Sequence, residues 1–255
     1  MGRQLALLLL KKGAKVAIAD INLPGMEETA SMAGSNQANL STHELNITDR
    51  DKVNAFPQVV IEQHGAVDAI INNAGIIQPF IKVSELEFST VERVMNINFY
   101  GTLNMIKAFL PHLLKRPEAH IANVASMGGF LPVPGQTIYG ASKAAVKLLT
   151  EGLHAELMDT NVNVTVLFPG AVATSITENS GVSTPTGGLD PKELEAQASK
   201  ALAPEKAAEI MVKAIEKNKF RELVGSDASF LDKFYRLAPK RAAGFIARQM
   251  KALLS

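Results

Sequence analysis

Short apolar runs alternate along the chain with longer segments in which apolar residues recur at every third or fourth position. The runs have the length of β-strands and lie at residues 15–20, 69–71, 120–125, 162–168 and 222–224, with a weaker run near 40–45. Strands that alternate with helices are typical of a parallel sheet covered by helices on both faces. The pattern therefore predicts an α/β fold with a doubly wound parallel sheet.

Two predicted helical segments, roughly 87–115 and 135–159, carry apolar residues over much of their circumference. One face of each helix is expected to pack on the sheet. The other face either contacts a second subunit or completes an intramolecular core, and the spacing leaves both interpretations open.

Two further segments differ from the rest in composition. Residues 173–203 are rich in Ser, Thr, Gly and Glu, which is typical of a functional or a disordered loop, and we expect a substrate loop there. Residues 227–255 combine basic side chains with Phe and Leu. This C-terminal segment is expected to be helical, with either a solvated basic face or a face that forms a lid or contacts a membrane surface.

The totals of the sequence limit the classes of function. A chain of 255 residues is expected to form one domain, 1–255. Its formal net charge of +1 gives no general attraction to nucleic acid, and its five histidines have no spacing that indicates a metal site. No apolar run reaches the roughly 20 residues of a membrane span. The absence of cysteine fits a reducing compartment, so a cytoplasmic location is expected.

The chain opens with MGRQLALLLLKKGAKVAIAD, which predicts a short helix and then a strand that ends at Asp20. Lys11 and Lys12 interrupt the apolar run, so a secretory signal is disfavoured, and Ala6 stands where N-myristoylation requires Ser or Thr. Asp20 lies 18 residues after Gly2, near the spacing at which a carboxylate binds the adenosine ribose of a dinucleotide. Such a carboxylate repels a 2′-phosphate and favours NAD over NADP. Capping of the next turn is the simpler interpretation.

Amide and small residues follow the run at 69–71 directly, in the stretch Asn72-Asn73-Ala74-Gly75. At the carboxyl end of a parallel strand, such residues allow a ligand to approach the backbone, although a plain turn is the alternative. Asn98 lies in an otherwise apolar helical stretch. A buried amide there needs hydrogen-bond partners, in either a structural or a functional role.

The strongest constellation consists of Ser126, Tyr139 and Lys143. Tyr139 and Lys143 are four residues apart on a predicted helix and share a face, and Ser126 follows the end of a predicted strand. A phenol with a pKa of about 10 is a weak acid at neutral pH, and a nearby cation lowers that pKa. A neighbouring serine hydroxyl holds the alcohol or carbonyl oxygen that exchanges a proton with the phenol. These residues predict acid–base chemistry on an alcohol or a carbonyl.

Together these residues resemble the classical short-chain dehydrogenase/reductase family in order and in spacing, from residue 2 to about 175. The matching stretches are Asn72-Asn73-Ala74-Gly75, Asn98-Phe99-Tyr100-Gly101, Ser126, Tyr139-Gly140-Ala141-Ser142-Lys143, and Pro169-Gly170 with Thr174. The resemblance implies a Rossmann-like fold and an oxidoreductase that transfers a hydride between NAD(H) and a secondary alcohol or ketone. It also implies a homodimer or homotetramer and calls for no metal.

The resemblance gives each matching residue a role. It implies that Tyr139 is the general acid/base, that Ser126 holds the substrate oxygen, and that Asn98 positions a proton-relay water. It implies that Lys143 binds the nicotinamide ribose and lowers the pKa of Tyr139. The implied cofactor-binding residues are Gly2, Asp20, Asn46, Asn73, Ala74, Gly75, Tyr139, Lys143, Pro169, Gly170, Val172 and Thr174.

The sequence departs from the family pattern at two places. Asn46 stands where the family often has Asp against the adenine ring, and it keeps a hydrogen-bonding side chain. Of the family's glycine-rich turn, Thr-Gly-x-x-x-Gly-x-Gly, only the last glycine is present, as Gly2. We therefore expect that the first strand is missing from this chain and that Met1 corresponds to an internal methionine of that turn. The interactions of such a strand rival the net stability of a domain, about 5–15 kcal/mol.

Two functional hypotheses follow. The first is the oxidoreductase, with NAD preferred to NADP. The second is a binding or scaffold protein that keeps the fold without turnover, a hypothesis motivated by the incomplete glycine turn. The residues that follow Ser126 favour an apolar substrate, unless they only pack in the core; they are Phe130, Leu131, Val133 and Pro134.

Overall fold

The computed structural model describes residues 1–182 and 201–251. Its strands are β1 Val16–Asp20, β2 Leu40–Glu44, β3 Ala69–Asn72, β4 Ala119–Val124, β5 Val162–Pro169 and β6 Arg221–Val224. Its helices are α1 Gly2–Lys11, α2 Leu23–Met32, α3 Arg50–His64, α4 Phe88–Met95, α5 Thr102–Leu113, α6 Thr137–Glu156, α7 Ile176–Asn179, α8 Pro204–Glu216, α9 Ser226–Leu237 and α10 Pro239–Gln249. A π-helical segment, Asn96–Gly101, joins α4 to α5.

All described strands pair in parallel, as the sequence pattern predicts. β1 pairs with β2, and the other four strands form a sheet in the order β3-β4-β5-β6. The pairing of Asn72 with Asn123 brings the carboxyl ends of β3 and β4 to one edge. No strand within residues 1–182 and 201–251 is hydrogen-bonded to both β1 and β3, and the expectation that a first strand is missing stays a prediction.

Helices cover both faces of the sheet, which gives a doubly wound, Rossmann-like α/β fold. On one face, α3 and α5 pack on the strands through buried residues such as Val53, Phe109 and Ile121. On the other face, α1 and α8 pack through residues such as Leu5 and Met211. β4 is buried along its whole length, because both faces of a central parallel strand are covered.

The observed elements agree with the sequence pattern in most places. The weak run near 40–45 forms β2, and the helical segments predicted at 87–115 and 135–159 correspond to α4 through α5 and to α6. Most of the predicted substrate loop at 173–203 lies outside the described residues. Its described ends contain α7 and an isolated bridge between Val172 and Leu202.

The C-terminal segment is helical in the part that the structure describes. Helices α9 and α10 follow one another with only Ala238 between them and form a hairpin. Ala228, Ala242 and Ile246 are buried where the hairpin packs on itself and beside β6. Within the described ranges, no helix is long and apolar enough to cross a membrane.

Candidate active site

Ser126 and Tyr139 lie side by side beyond the carboxyl end of β4, and glycines make this approach possible. The hydroxyl oxygen of Ser126 accepts a hydrogen bond from the N–H of Gly128 at 3.0 Å. A Cβ atom at Gly129 or at Gly140 would come within 2.9 Å of backbone atoms of the facing segment. Since only glycine permits this distance, the turn after β4 packs closely on α6. As a result, the Tyr139 ring and Ser126 Oγ lie close together, and a Cβ atom at Gly128 would come within 3.5 Å of both.

Lys143 lies one helical turn after Tyr139, and its residue is only 3% exposed. Its Nζ donates a hydrogen bond to the carbonyl oxygen of Val124 at 2.9 Å, its one hydrogen bond within the described residues. A Cβ atom at Gly75 would lie 3.0 Å from this Nζ, so the ammonium also faces the loop after β3. Burial lowers the pKa of Lys143 to about 8. The site thus contains a buried cation with two donors free of protein partners among the described residues.

The pKa of Tyr139 differs from the sequence-based expectation. The sequence predicts that Lys143 lowers this pKa. In the structure, burial raises the pKa of the phenol above its ordinary value, and the opposing effect of the nearby Ser126 hydroxyl is smaller. The difference arises because desolvation of a buried phenolate is large, while the Lys143 ammonium is bonded to the Val124 carbonyl.

Asn98 lies in the π-helical segment, and its side chain is fully buried. Its Oδ1 accepts a hydrogen bond from the N–H of Ile76 at 2.8 Å, and its Nδ2 donates to the Ile76 carbonyl and to Ser142 Oγ, both at 2.9 Å. The Ser142 hydroxyl in turn donates to the carbonyl oxygen of Tyr139 at 2.7 Å. Asn98 therefore connects the loop after β3 to α6. Its implied role in a proton relay stays a prediction.

Gln78 is a residue of this site that the sequence analysis missed. It is fully buried, and its Oε1 accepts hydrogen bonds from the N–H groups of Ile138 at 2.8 Å and Tyr139 at 3.1 Å. These donors belong to the first turn of α6, which has no cap from the side chain of its own N-cap residue, Gln136. Gln136 instead donates to the backbone carbonyl of Gln78 at 2.7 Å. No local sequence signal reveals a cap that comes from 60 residues earlier.

Gly2 and Asn73 meet at the start of α1, directly after the carboxyl end of β3. A Cβ atom at Gly2 would lie 2.9 Å from Asn73 Nδ2. Asn73 Oδ1 is buried and has no hydrogen-bond partner among the described residues, which is rare in a folded protein. Ala74 is exposed, and Gly75 adds no side chain. This orphan acceptor and the small residues beside it are compatible with a nicotinamide cofactor at this edge.

Asp20 and Asn46 are exposed at the ends of β1 and β2, and each caps a turn. Asp20 Oδ1 accepts a hydrogen bond from the N–H of Asn22 at 3.0 Å. Asn46 Oδ1 accepts from the N–H of Thr48 at 3.0 Å and from its hydroxyl at 2.8 Å. The simpler, capping interpretation of Asp20 is therefore correct. This cap leaves Oδ2 of Asp20 without a hydrogen bond from any described residue. A role of Asp20 at the ribose is therefore compatible with the cap.

Asp227 holds the segment after β5 and is the second residue that the sequence analysis missed. The N–H of Ala171 donates a hydrogen bond to Asp227 Oδ2 at 2.7 Å, and the N–H of Gly170 donates to the carbonyl oxygen of Val224 at 2.9 Å. A Cβ atom at Gly170 would overlap the Asp227 carboxylate, so this close approach requires glycine. The predicted cofactor-binding residues on the same segment are Pro169, Gly170, Val172 and Thr174.

Of the four apolar residues after Ser126 that are predicted to contact the substrate, some pack in the core instead. Leu131 is 3% exposed and belongs to the core. The ring of Phe130 packs edge to face on Phe168, with 5.4 Å between the centroids, and also borders a cavity of about 490 Å³ between α6, β6 and α9. Val133 and Pro134 are half-buried. The sequence signal for an apolar substrate therefore rests on these last two residues.

The region of the chain that contains this site matches a known protein family. A family model described as short chain dehydrogenase matches residues 1–183, well over half of the chain. The chain belongs to the short-chain dehydrogenase family. The matched region contains Ser126, Tyr139 and Lys143, whereas the hairpin of α9 and α10 lies beyond it.

Curated relatives of this short-chain dehydrogenase are oxidoreductases. The oxidoreductase SadH of Mycobacterium tuberculosis is 34% identical over 242 residues, which cover 93% of this chain and 86% of SadH. The 3-oxoacyl-[acyl-carrier-protein] reductase FabG of Thermotoga maritima is 32% identical over 178 residues, 70% of this chain and 72% of FabG. The chain is therefore an oxidoreductase of this family.

Solved structures of short-chain dehydrogenases share the fold and contain either cofactor. A protein from Burkholderia phymatum in complex with NAD is 25% identical, with a TM-score of 0.79 over 92% of this chain and 90% of that chain. A protein from Burkholderia cenocepacia in complex with NADP is also 25% identical, with a TM-score of 0.77 over 96% and 92% of the two chains. The family therefore supports a nicotinamide nucleotide as cofactor and leaves the choice between NAD and NADP open.

Proposed function

We propose that this short-chain dehydrogenase oxidises secondary alcohols or reduces ketones, with NAD rather than NADP as its cofactor. The observation that carries the proposal is the close approach of the Ser126 and Tyr139 side chains beside Gly128, with the buried Lys143 ammonium one turn further along α6. These residues lie at the carboxyl edge of a parallel sheet, where α/β folds bind their ligands.

In this proposal each side chain acts on the substrate oxygen. The Ser126 hydroxyl holds the alcohol or carbonyl oxygen by a hydrogen bond, and the Tyr139 hydroxyl gives a proton to that oxygen or takes one from it. When bound, the nicotinamide cofactor supplies or accepts the hydride. The positive charge of Lys143 favours the phenolate whenever the proton leaves Tyr139, because a buried cation acts through a low effective dielectric.

The residues proposed to hold the cofactor lie at the carboxyl ends of several strands. Among the residues that the structure describes, Lys143 has donors free for the hydroxyls of a ribose, and Asn73 has a buried acceptor without a partner. The carboxylate of Asp20, after β1, favours two free ribose hydroxyls over a 2′-phosphate, which is the basis for proposing NAD. The remaining proposed residues are Gly2, Asn46, Ala74, Gly75, Pro169, Gly170, Val172 and Thr174.

The substrate proposed here is an apolar molecule of medium size. Val133 and Pro134 offer apolar surface close to Ser126 in the chain. FabG acts on a 3-oxoacyl group according to its name, which is a ketone on an acyl chain. A panel of alcohols and ketones that ranges from lipophilic compounds to small sugars tests this point, and better turnover of the sugars contradicts it.

The proposal includes a homodimer or homotetramer in the cytoplasm. Leu148 on α6 is 69% exposed, and Tyr100 beside α5 is 43% exposed, so the two long helices carry apolar surface on their outer faces. Sedimentation velocity at micromolar concentration tests the assembly, and a monomer there contradicts it. The lack of cysteine is the basis for the proposed compartment.

Replacement of Tyr139 by Phe tests the proposed reaction. The variant is expected to lose turnover by at least about a hundredfold, the usual size of a general acid/base contribution, while it keeps cofactor affinity. Turnover is followed by the absorbance of reduced nicotinamide and affinity by its fluorescence, with the exposed Tyr100→Phe as matched control. Retained turnover in Tyr139→Phe contradicts the role of Tyr139. If the wild-type chain binds NADH and turns over no member of the panel, the scaffold hypothesis is favoured.

A further inference from the structure

The hairpin of α9 and α10 presents apolar side chains to solvent on the side opposite to its buried residues. Phe230, Phe234 and Leu237 are spaced four and three residues apart, so they form one stripe along α9. Phe230 is 62% exposed and Leu237 is 86% exposed. Phe234 packs on Phe230 at 6.0 Å and on Phe245 of α10 at 6.1 Å between ring centroids. These four residues are called the apolar stripe.

The apolar stripe is bordered by positive charge. The hairpin contains five basic residues and two acidic residues; the basic residues are Lys233, Arg236, Lys240, Arg241 and Arg248. All five are exposed, and none forms an ion pair with another residue of the described ranges. Helical spacing places Lys233 between Phe230 and Leu237, and it places Arg241 and Arg248 one turn on either side of Phe245.

Both acidic residues of the hairpin already have partners inside the domain. Asp227 accepts a hydrogen bond from the N–H of Ala171, and the buried Asp232 pairs with Arg221 at 3.1 Å. Neither carboxylate therefore neutralises the exposed basic groups. The outer face of the hairpin is an apolar stripe with a positive border and no negative charge of its own.

We propose that this face docks the protein on the surface of an anionic lipid bilayer. Aromatic and aliphatic side chains beside Lys and Arg are the pattern with which a helix lies in a membrane interface, its apolar groups at the acyl boundary and its cations at anionic headgroups. No described helix spans a membrane, so this contact is peripheral. The proposal does not depend on the substrate proposed above.

A second copy of the chain fits this face less well. A two-fold contact places the same patch of both subunits together, so the basic border of one subunit meets the basic border of the other. Like charges that face each other oppose association. An anionic bilayer meets the same border with opposite charge, and it also accepts Leu237, which projects further into solvent than any other residue of the stripe.

Sedimentation of the full chain with sucrose-loaded vesicles tests the proposal. Binding is measured to vesicles of phosphatidylcholine alone and to vesicles with about 30 mol% phosphatidylglycerol, at low and at high salt. The expected result is at least about tenfold stronger partitioning to the anionic vesicles. This preference is expected to disappear near 1 M salt, where the screening length falls to about 3 Å. Equal partitioning to both kinds of vesicle, or none to either, overturns the proposal.

Two sets of variants locate the contact. Lys233→Gln and Arg241→Gln are each expected to weaken partitioning about fivefold, since one basic residue near an anionic surface contributes about that factor. Phe230→Ser with Leu237→Ser is expected to reduce it further on both kinds of vesicle. The matched controls are the exposed Lys213→Gln on α8 and Phe88→Ser at the start of α4, which are expected to bind as the wild type does.

The charge variants keep the test valid if the apolar variants fail to fold, because Lys233 and Arg241 are exposed and unpaired in the described part of the chain. Oligomeric state is measured on the same samples by light scattering. If Phe230→Ser with Leu237→Ser dissociates an oligomer and leaves vesicle binding unchanged, the face is a contact between subunits and the proposal is wrong.

Discussion

The side-chain oxygen of Gln78 accepts a hydrogen bond from the backbone N–H of Tyr139 at 3.1 Å. A second bond from Ile138 at 2.8 Å makes Gln78 the cap of α6, although it lies on the loop after β3. The cap fixes the first turn of the helix that carries Tyr139. The distance between the Tyr139 hydroxyl and Ser126 therefore depends on a residue that contacts neither hydroxyl.

Replacement of Gln78 by Leu is expected to lower the free energy of unfolding by about 1–2 kcal/mol, because two helix N–H groups lose their acceptor. It is also expected to reduce kcat more than it raises KM, since Tyr139 is displaced while the substrate pocket remains. Chemical denaturation and steady-state kinetics measure both effects. Gln78→Glu keeps an acceptor and should restore part of kcat. The exposed Gln58→Leu on α3 is the control, and an equal effect there refutes the positioning role.

Asp227 is expected to affect cofactor binding from outside the site. Asp227→Ala leaves the N–H of Ala171 without its acceptor, so the segment from Gly170 to Thr174 loses one of its supporting hydrogen bonds. We expect a three- to tenfold rise in the cofactor Kd, roughly the 1 kcal/mol of one hydrogen bond. Asp227→Asn keeps the acceptor oxygen and should bind nearly as the wild type does. Titration of NADH fluorescence measures Kd, with the exposed Asp159→Ala as control. Unchanged affinity in Asp227→Ala contradicts the prediction.

Lys143 is expected to lower the free energy of unfolding of the protein, although it is also expected to be needed for turnover. Its pKa is lowered by burial from 10.5 to about 8, so the charged form is disfavoured in the folded state. Below pH 8 both states are protonated and the whole penalty is present. Between pH 8 and pH 10.5 the unfolded state binds more protons, so the contribution of Lys143 to the free energy of unfolding rises with pH.

Lys143→Met is therefore expected to raise the free energy of unfolding at pH 7 by about 1–3 kcal/mol while it abolishes turnover. The variant should also lose the part of the pH dependence that Lys143 contributes above pH 8. Urea denaturation over a pH series measures both. Lys147→Met, one turn further along α6, removes an ion pair with Glu151 at 2.7 Å and is expected to change stability by less than about 1 kcal/mol. Destabilisation by Lys143→Met contradicts the prediction.

Asp20→Asn separates the two roles of Asp20. The amide keeps an oxygen for the N–H of Asn22, so the turn and the stability should not change. The negative charge that repels a 2′-phosphate is lost, so the ratio of NADP affinity to NAD affinity is expected to rise about tenfold. Thermal shifts with each cofactor measure the ratio. Glu44→Gln, at the neighbouring end of β2, is the control. A wild type that is stabilised more by NADP than by NAD contradicts the proposed cofactor.

Local patterns in the sequence predict much of this fold and site. The strand-length runs coincide with every described strand, although β2 (LSTHE) and β6 (RELV) are only partly apolar. The more central strands are more continuously apolar, because both of their faces are covered. Tyr139 and Lys143 share a face because they are four residues apart on one helix. Gly129 and Gly140 allow the turn that carries Ser126 to lie close to α6. Gly140 belongs to the stretch Tyr139-Gly140-Ala141-Ser142-Lys143, which matches the family motif.

Long-range contacts account for what the sequence does not predict. Gln78 and Asp227 each act on a segment more than fifty residues away, and neither residue has a local signal. The pKa of Tyr139 depends on burial, which follows from the whole fold rather than from the distance to Lys143 along the helix. Leu131 and Val133 have similar side chains, yet only Leu131 packs into the core.

The π-helical segment at Asn96–Gly101 has a consequence for insertions and deletions. A π-helical turn holds one more residue than the α-helical turn it replaces. Deletion of a single residue within it would restore regular α-helical geometry and leave α4 and α5 facing nearly as before, because the wider turn takes up the surplus residue. The backbone around Asn98 would tighten, however, and Asn98 would lose the geometry of its hydrogen bonds with Ile76. A length change here is therefore expected to act on the link that Asn98 makes between the loop after β3 and α6, and not on the packing of the helices against the sheet.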